Sequence, residues 1–295
     1  MEREQDRYQR LCRMLEQVGK LDHNRRHQHS DRAIVQVLVW AALHDRPITW
    51  ACDPGNWVRS LRPKVLPGQS CMSRRLRTLS IQQLLERAFG HLREQLPSGM
   101  LKCIDAKPLP VGGCSKDSEA RYGRAASCKA KGYKLFALMD WASGAIDRWI
   151  VGGMNWSEQK AADVLLSKLP ESVAVIGDGE YDASRLHDLV AGQECALLTP
   201  APPQGGGSGH HYQSPHRLNS LALAQSSAGA QMLAARIVIE QSFGNMTSFA
   251  GGLGPLPAWV RTPHRVVAWV AAKILINLDR QIQLHLRREQ TPHAA

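Results

Sequence analysis

The segment LKCIDAKPLPV, residues 101–111, marks the point where the hydrophobic pattern changes from helical to strand-like. Before this segment, apolar residues recur at the three- and four-residue spacing of a helix, as Ile34, Val37 and Leu38 do. From Leu101 onward, apolar and polar residues alternate, which is typical of a strand. The sequence therefore predicts a helical region followed by a region that contains a sheet.

The elements after residue 111 predict an α/β region with a mixed sheet. Two more strands, Tyr133–Asp140 and Ala145–Gly152, are separated by a predicted turn. Helix, strand, helix and strand then alternate, at Ser157–Leu169, Ser172–Gly177, Ala183–Ala191 and Cys195–Thr199. This order predicts a ribonuclease H-like fold, a mixed five-stranded sheet with helices on both faces. A doubly wound nucleotide-binding fold is disfavoured, because no G-x-G-x-x-G motif follows the first strand.

These boundaries divide the chain into two predicted domains. Residues 1–97 form a small, helical and basic domain, residues 98–288 form the α/β domain, and residues 289–295 form a tail. Residues 200–220 are rich in Gly, Pro, Ser and His, so we expect a flexible loop there. Helices are expected afterwards at about 222–247 and 263–288.

The charge of the chain indicates a polyanionic partner. The net charge is +11 and the sequence pI is about 9.6. Residues 1–96 hold 17 Lys and Arg against 10 Asp and Glu, a net charge of +7. Arg74, Arg75 and Arg77 lie on a predicted short helix, which would suit DNA binding by a helix-turn-helix variant. An ordinary helical bundle with a basic, solvated face accounts for the same pattern equally well.

Three features argue against a secreted or membrane protein. The segment MEREQDRYQR at residues 1–10 is charged and lacks the apolar core of a secretory signal. The longest apolar stretch, residues 266–278, includes Lys273 and is shorter than the roughly 20 residues that span a bilayer. The seven cysteines form no C-x-x-C pair, which fits free thiols in a reducing cytosol. We therefore expect a cytosolic protein without membrane association.

Three acidic residues occupy positions where the predicted fold gathers ligands. Asp105 lies within the first strand, and Asp178 directly follows the apolar run Val173–Gly177. Asp178 is expected at the carboxyl end of its strand, where ligand sites gather. Because the first and fourth strands are neighbours in this fold, we expect Asp105 and Asp178 close together. Glu240 lies on a later helix, one turn after Arg236, so these two side chains share a helix face.

Convergent carboxylates without His or Cys suit a hard cation such as Mg²⁺ or Mn²⁺. Two such ions, about 4 Å apart, activate a water or a DNA 3′-hydroxyl and stabilise the leaving oxygen in phosphodiester chemistry. Each acid also has a structural alternative: Asp105 in a salt bridge with Lys102 or Lys107, Asp178 in a Gly-Asp-Gly turn, and Glu240 paired only with Arg236.

Three motifs in order carry a family resemblance: Ile104-Asp105-Ala-Lys-Pro-Leu-Pro110, Gly177-Asp178-Gly-Glu-Tyr-Asp182 and Arg236-Ile-Val-Ile-Glu240-Gln-Ser-Phe243. Together they resemble bacterial insertion-sequence transposases of the DDE superfamily, in the group that includes the IS-four and IS-five families. The segment Ser70–Leu79 is similar to the helix that precedes the catalytic domain in that family. The resemblance covers most of residues 70–280.

The resemblance implies a DNA transposase that cleaves strands at insertion-sequence ends and transfers them to a target. It implies that Asp105, Asp178 and Glu240 hold two Mg²⁺ or Mn²⁺ ions and that Arg236 assists them. It also implies double-stranded DNA as the partner, both terminal inverted repeats and target DNA. A homodimer on DNA is expected, because two ends must be brought together.

Two positions depart from relatives that carry the longer Y-R-E-K signature. Leu233 stands where those relatives have Tyr, and Thr247 stands where they have Lys. Two alternatives follow: the phosphate contact of that lysine is absent, or Lys273 or Arg265 supplies it. Two alternatives stay open, a catalytically inactive DNA-binding regulator descended from a transposase and a metal-dependent nuclease without strand transfer.

Overall fold

The computed structural model describes residues 4–19, 28–125, 128–200, 213–249 and 251–290. The chain divides into two compact units. The helical unit comprises residues 1–96, 116–119 and 246–295, and the α/β unit comprises residues 97–115 and 120–245. The sequence prediction assigned residues 98–288 to the α/β domain; in the structure the segment from residue 246 onward groups with the helical unit.

The helices of the described ranges are, in chain order, α1 (Glu4–Val18), α2 (Asp31–Leu43), α3 (Ile48–Ala51), α4 (Gln69–Arg75), α5 (Leu79–Arg93), α6 (Glu158–Leu165), α7 (Ser184–Ala191), α8 (Pro215–Gln225), α9 (Ser227–Ala234), α10 (Ile237–Thr247) and α11 (Pro263–Gln290). The strands are β1 (Leu101–Pro110), β2 (Arg121–Ala125), β3 (Cys128–Asp140), β4 (Ile146–Gly153), β5 (Ala174–Ile176) and β6 (Ala196–Leu198). No helix in these ranges combines the length and the apolar character that a bilayer crossing requires.

The six strands form one mixed sheet in the α/β unit. One edge of β3 pairs antiparallel with β1, and its other edge pairs first with β2 and then with β4. β5 runs parallel to β1, and β6 runs parallel to β5. The expected ribonuclease H-like order is thus confirmed, with the strands of Asp105 and Asp178 adjacent. β2 was not predicted, because most of its residues are exposed and it lacks an apolar alternation.

A buried lysine fixes β1 against the β3–β4 hairpin. Lys102 Nζ lies 2.8 Å from Asp140 Oδ2 and 2.7 Å from Asp147 Oδ2. Burial opposes the ionisation of Asp140, but hydrogen bonds from Lys102, Ser143 and Gly99 outweigh burial and lower its pKa. Lys102 therefore holds the strands together through Asp140 and Asp147, and it does not form the alternative salt bridge with Asp105.

The second half of the α/β unit differs from the sequence prediction. Of the loop expected at residues 200–220, residues 201–212 lie outside the described ranges, and α8 already begins at Pro215. Ser214 Oγ caps this helix by accepting hydrogen bonds from the backbone N–H groups of His216 and Arg217. The single helix expected over 222–247 is instead divided among α8, α9 and α10.

The helical unit has a core built by helices from both ends of the chain. α11 packs against α1, α2 and α5. Tyr8 of α1 contacts Trp40 of α2 edge to face, with 4.8 Å between ring centroids. Arg10 of α1 donates to both carboxylate oxygens of Asp279 on α11, at 2.8 and 2.6 Å. The last helix is therefore an integral part of this core.

Candidate active site

Asp105 lies on β1, and Asp178 follows the end of the neighbouring parallel strand β5. In the register of β1 and β5, Cys103 pairs with Ile176, and each acid lies two residues further along its own chain segment. Asp178 follows the end of β5, where its Oδ1 accepts the backbone N–H of Glu180 at 2.9 Å. The Gly-Asp-Gly turn and the candidate site therefore use the same residue, and the turn fixes the orientation of its carboxylate.

The Asp105 carboxylate lies in an environment that disfavours its negative charge. Burial raises the pKa of Asp105 to about 6, and the negative charges of Asp178 and Glu158 act in the same direction. The backbone N–H of Ala106 and the guanidinium of Arg236 oppose this shift. Additional positive charge at this position would stabilise the ionised acid.

Arg236 connects the second and third predicted acids. Its Nη1 lies 3.9 Å from Asp178 Oδ2, and its Nη2 lies 3.4 Å from Glu240 Oε1. The Glu240 side chain is 59% exposed. Within the described ranges no three His, Cys, Asp or Glu side chains are grouped closely enough to hold a metal ion. The arrangement brings Asp105 close to Asp178 and links Asp178 to Glu240 through a cation.

A fourth carboxylate, Glu158 of α6, lies beside these acids and was missed by sequence reasoning. Its Oε1 accepts from Lys134 Nζ at 2.8 Å, and its Oε2 accepts from the Tyr181 hydroxyl at 3.3 Å. Burial raises the pKa of Tyr181, and the charges of Glu158, Asp105 and Asp178 raise it further. The sequence signal that could have identified Glu158 is an acidic residue in the first turn of the helix that follows β4.

Lys107 lies two residues beyond Asp105 on β1. Its Nζ is 5.9 Å from the centroid of the Phe243 ring on α10, and burial lowers the pKa of this lysine. Among the residues that the structure describes, no carboxylate forms a salt bridge with Lys107. The structure therefore does not contain the alternative salt bridge between Lys107 and Asp105.

The three predicted DNA-binding arginines have different environments. Arg74 and Arg77 are exposed. Arg75 is buried, its Nη1 donates to the backbone oxygen of His29 at 3.0 Å, and its Nη2 contacts the carboxylate of Asp31. Arg75 holds α4 against the start of α2. Of these three arginines, Arg74 and Arg77 therefore remain candidates for contact with DNA.

The structure also corrects the suggestion that Lys273 replaces the lysine of the longer family signature. Lys273 is 1% exposed within the helical unit. Its Nζ donates to the backbone oxygen of Ala42 at 2.6 Å and to Asp45 Oδ1 at 2.5 Å. A fully buried ammonium with a carboxylate partner has a structural role, and it cannot reach a phosphate without unfolding its surroundings. Arg265 is exposed and stays a candidate.

Comparison with known proteins gives one family. The family described as "Transposase DDE domain" has a model that matches residues 98–274, which is more than half of the chain. This range includes Asp105, Asp178, Arg236 and Glu240. No curated protein and no solved structure matches the chain.

Proposed function

The chain belongs to the family of transposases with a DDE domain, and from this premise we propose that it cleaves DNA at the ends of an insertion sequence and joins those ends to target DNA. The observation that carries the proposal is the position of Asp105 on β1 and of Asp178 after the end of the adjacent strand β5, with Arg236 linking Asp178 to Glu240. All these residues belong to the α/β unit.

In this proposal Asp105, Asp178 and Glu240 hold two Mg²⁺ or Mn²⁺ ions. The donor chemistry fits, because these residues offer only carboxylate oxygens. Burial raises the pKa of Asp105 although Arg236 opposes the shift, so a bound cation would stabilise the ionised carboxylate. When bound, such ions supply the positive charge that activates an attacking oxygen and stabilises a leaving one.

The other side chains of the site orient these acids. The backbone N–H of Glu180 fixes the Asp178 carboxylate in its turn. Arg236 holds Glu240 near Asp178 and, being about one-third exposed, can also donate to a phosphate oxygen of the DNA.

The proposed partner is double-stranded DNA, both terminal inverted repeats and target. Arg74 and Arg77 of the helical unit would contact its phosphates, and two copies of the chain would bring two ends together as a homodimer in the bacterial cytosol. A second candidate is a DNA-binding regulator without catalysis. It is favoured by the exposed Glu240, which contacts Arg236 rather than the other acids.

The decisive experiment measures cleavage of duplexes that cover the DNA flanking the gene, with Mg²⁺ or Mn²⁺. Wild-type chain should cut near the inverted repeats, and Asp105→Ala, Asp178→Ala and Glu240→Ala should each abolish cutting while DNA binding persists. Glu171→Ala, at an exposed position of the same unit, is the control. Binding without cleavage by the wild type would favour the regulator, and full cleavage by Glu240→Ala would exclude this triad. Cleavage without joining would indicate a nuclease.

A further inference from the structure

We propose that Lys107 binds a phosphate group of the DNA beside the catalytic acids. The inference deepens the proposed function and rests on it. It comes from the position of Lys107, which lies on the strand that carries Asp105, has its ammonium near the helix that carries Glu240, and forms no salt bridge with a carboxylate among the described residues.

The backbone places Lys107 on the same face of β1 as Asp105. Side chains two residues apart on a strand point to the same face, about 7 Å from each other along the strand. The Lys107 ammonium lies 5.9 Å from the ring centroid of Phe243, which follows Glu240 by three residues on α10. Residues at this helical spacing are surface neighbours. Lys107 thus extends from one acid-bearing element toward the other.

The charge environment of the half-buried Lys107 differs from that of the three buried lysines of the described ranges. Each of those has a carboxylate partner at 2.8 Å or less: Lys102 with Asp140, Lys134 with Glu158 and Lys273 with Asp45. Lys107 is half-buried and has an aromatic ring as its neighbour, with no carboxylate partner among the described residues. Partial burial of an ammonium without a counter-charge is unfavourable, so an incoming anion would be stabilised there.

DNA supplies an anion of the right chemistry. The candidate acids repel a phosphodiester unless cations lie among them, and Lys107 provides one fixed cation on the face where Asp105 stands. A lysine ammonium donates up to three hydrogen bonds and binds phosphate as a compact point charge. Arg236 already contacts two carboxylates, whereas Lys107 has no salt bridge with a carboxylate in the described part of the chain.

The test uses the full chain and the duplexes that cover the DNA flanking the gene. First, lysine acetylation is mapped by mass spectrometry with and without this DNA, in Ca²⁺ buffer. Lys107 should be protected by DNA, whereas Lys168, an exposed lysine after α6, should not. Second, cleavage rates with Mg²⁺ are compared for Lys107→Met, Lys107→Arg and the control Lys168→Met.

Loss of a charged hydrogen bond to phosphate should slow cleavage by Lys107→Met roughly ten- to a hundredfold. Lys107→Arg should retain cleavage within about threefold, because the charge remains, and Lys168→Met should match the wild type. If Lys107→Met does not fold in a thermal melt, acetylation protection and Lys107→Arg decide. Unprotected Lys107 in a chain that still cleaves DNA would overturn this inference and leave the proposed function standing. A wild-type chain that neither binds nor cleaves DNA would overturn both.

Discussion

At the scale of single residues, burial destabilises the ionised form of Asp105, which is the form that would bind a metal ion. Its pKa in the folded chain, raised by burial to about 6, exceeds the ordinary value of 3.8. Between about pH 4 and pH 6 the Asp105 carboxyl is therefore protonated in the native state and ionised in the unfolded chain. The stability that Asp105 contributes is fully present below pH 4 and is lost as the pH rises through 6.

Asp105→Asn should therefore stabilise the metal-free chain above pH 6, by on the order of 2 kcal/mol. The gain should shrink as the pH falls toward 4, since the wild-type carboxyl is then neutral as well. Urea unfolding in EDTA at pH 5 and pH 7.5 measures both effects. Glu171→Gln, at an exposed position, should leave the free energy of unfolding unchanged at either pH. A variant less stable than wild type at pH 7.5 would contradict the role given to burial.

Asp182 has the opposite behaviour, although it belongs to the same motif as Asp178. Its carboxylate accepts from Arg217 Nε at 2.7 Å and Nη2 at 2.5 Å, and His187 Nε2 lies 3.3 Å away. Burial opposes the ionisation of Asp182, yet Arg217 and His187 outweigh it and lower its pKa. Its contribution to stability is present above the unfolded pKa and is lost as the pH falls below about 4.

Asp182→Ala should lower the free energy of unfolding by about 3 kcal/mol, because it leaves a buried guanidinium without its partner. Glu180→Ala is the matched control, since the Glu180–Arg124 pair, 3.5 Å apart, joins side chains that are 63% and 81% exposed and contributes little. Equal stabilities for the two variants in urea unfolding would refute the structural role of Asp182.

The sequence indicated which acids to examine but not what surrounds them. Asp105, Asp178 and Glu240 were predicted because strand ends and helical spacing are local properties of the chain. The Glu158–Lys134 and Glu158–Tyr181 contacts join residues 24 and 23 positions apart. Such pairings depend on how strands and helices pack, and no local pattern encodes them.

At the scale of elements, α4 and the turn that follows it carry two exposed arginines, Arg74 and Arg77, and one buried arginine, Arg75. Changing Arg74 and Arg77 together to Ala should weaken DNA binding and reduce the slope of log K against log salt by about 1.8, because each lost phosphate contact removes about 0.9. Arg75→Ala should instead lower the melting temperature, since it breaks the contact with Asp31. Binding titrations at several salt concentrations, with thermal melts, distinguish the two effects.

An unchanged slope for the Arg74/Arg77 double variant would move the DNA contact to another surface. A lower slope with unchanged stability for Arg75→Ala would show that this arginine reaches DNA after all.

Strands were predictable where apolar residues are concentrated along a short stretch of the chain. β3 is buried continuously from Tyr133 to Asp140, and β5 is a short apolar strand between β1 and β6. The helices α8, α9 and α10 appeared as one, because caps such as Ser226, which accepts the backbone N–H of Gly229, interrupt a helix without interrupting its composition. These breaks depend on backbone geometry that hydrophobic periodicity does not register.

At the scale of the whole molecule, the helical unit is discontinuous in sequence. A fragment of residues 1–96 lacks α11, which packs against α1, α2 and α5 in the full chain. We expect this fragment to show no cooperative thermal transition by circular dichroism, because the apolar surface that α11 covers is exposed to water. The full chain, melted under the same conditions, is the control. A cooperative melt and protease resistance of the fragment alone would show that α11 is dispensable.

The contribution of α11 to the helical unit sets a delay during synthesis. A ribosome that adds about 5–20 residues per second needs roughly 10–40 s to proceed from residue 96 to the end of α11 at residue 290. During that interval α1, α2 and α5 have been made, but the surface that α11 later covers is bare. Transiently exposed apolar surface promotes aggregation, so this interval is when misassembly of the nascent helical unit competes most strongly with folding.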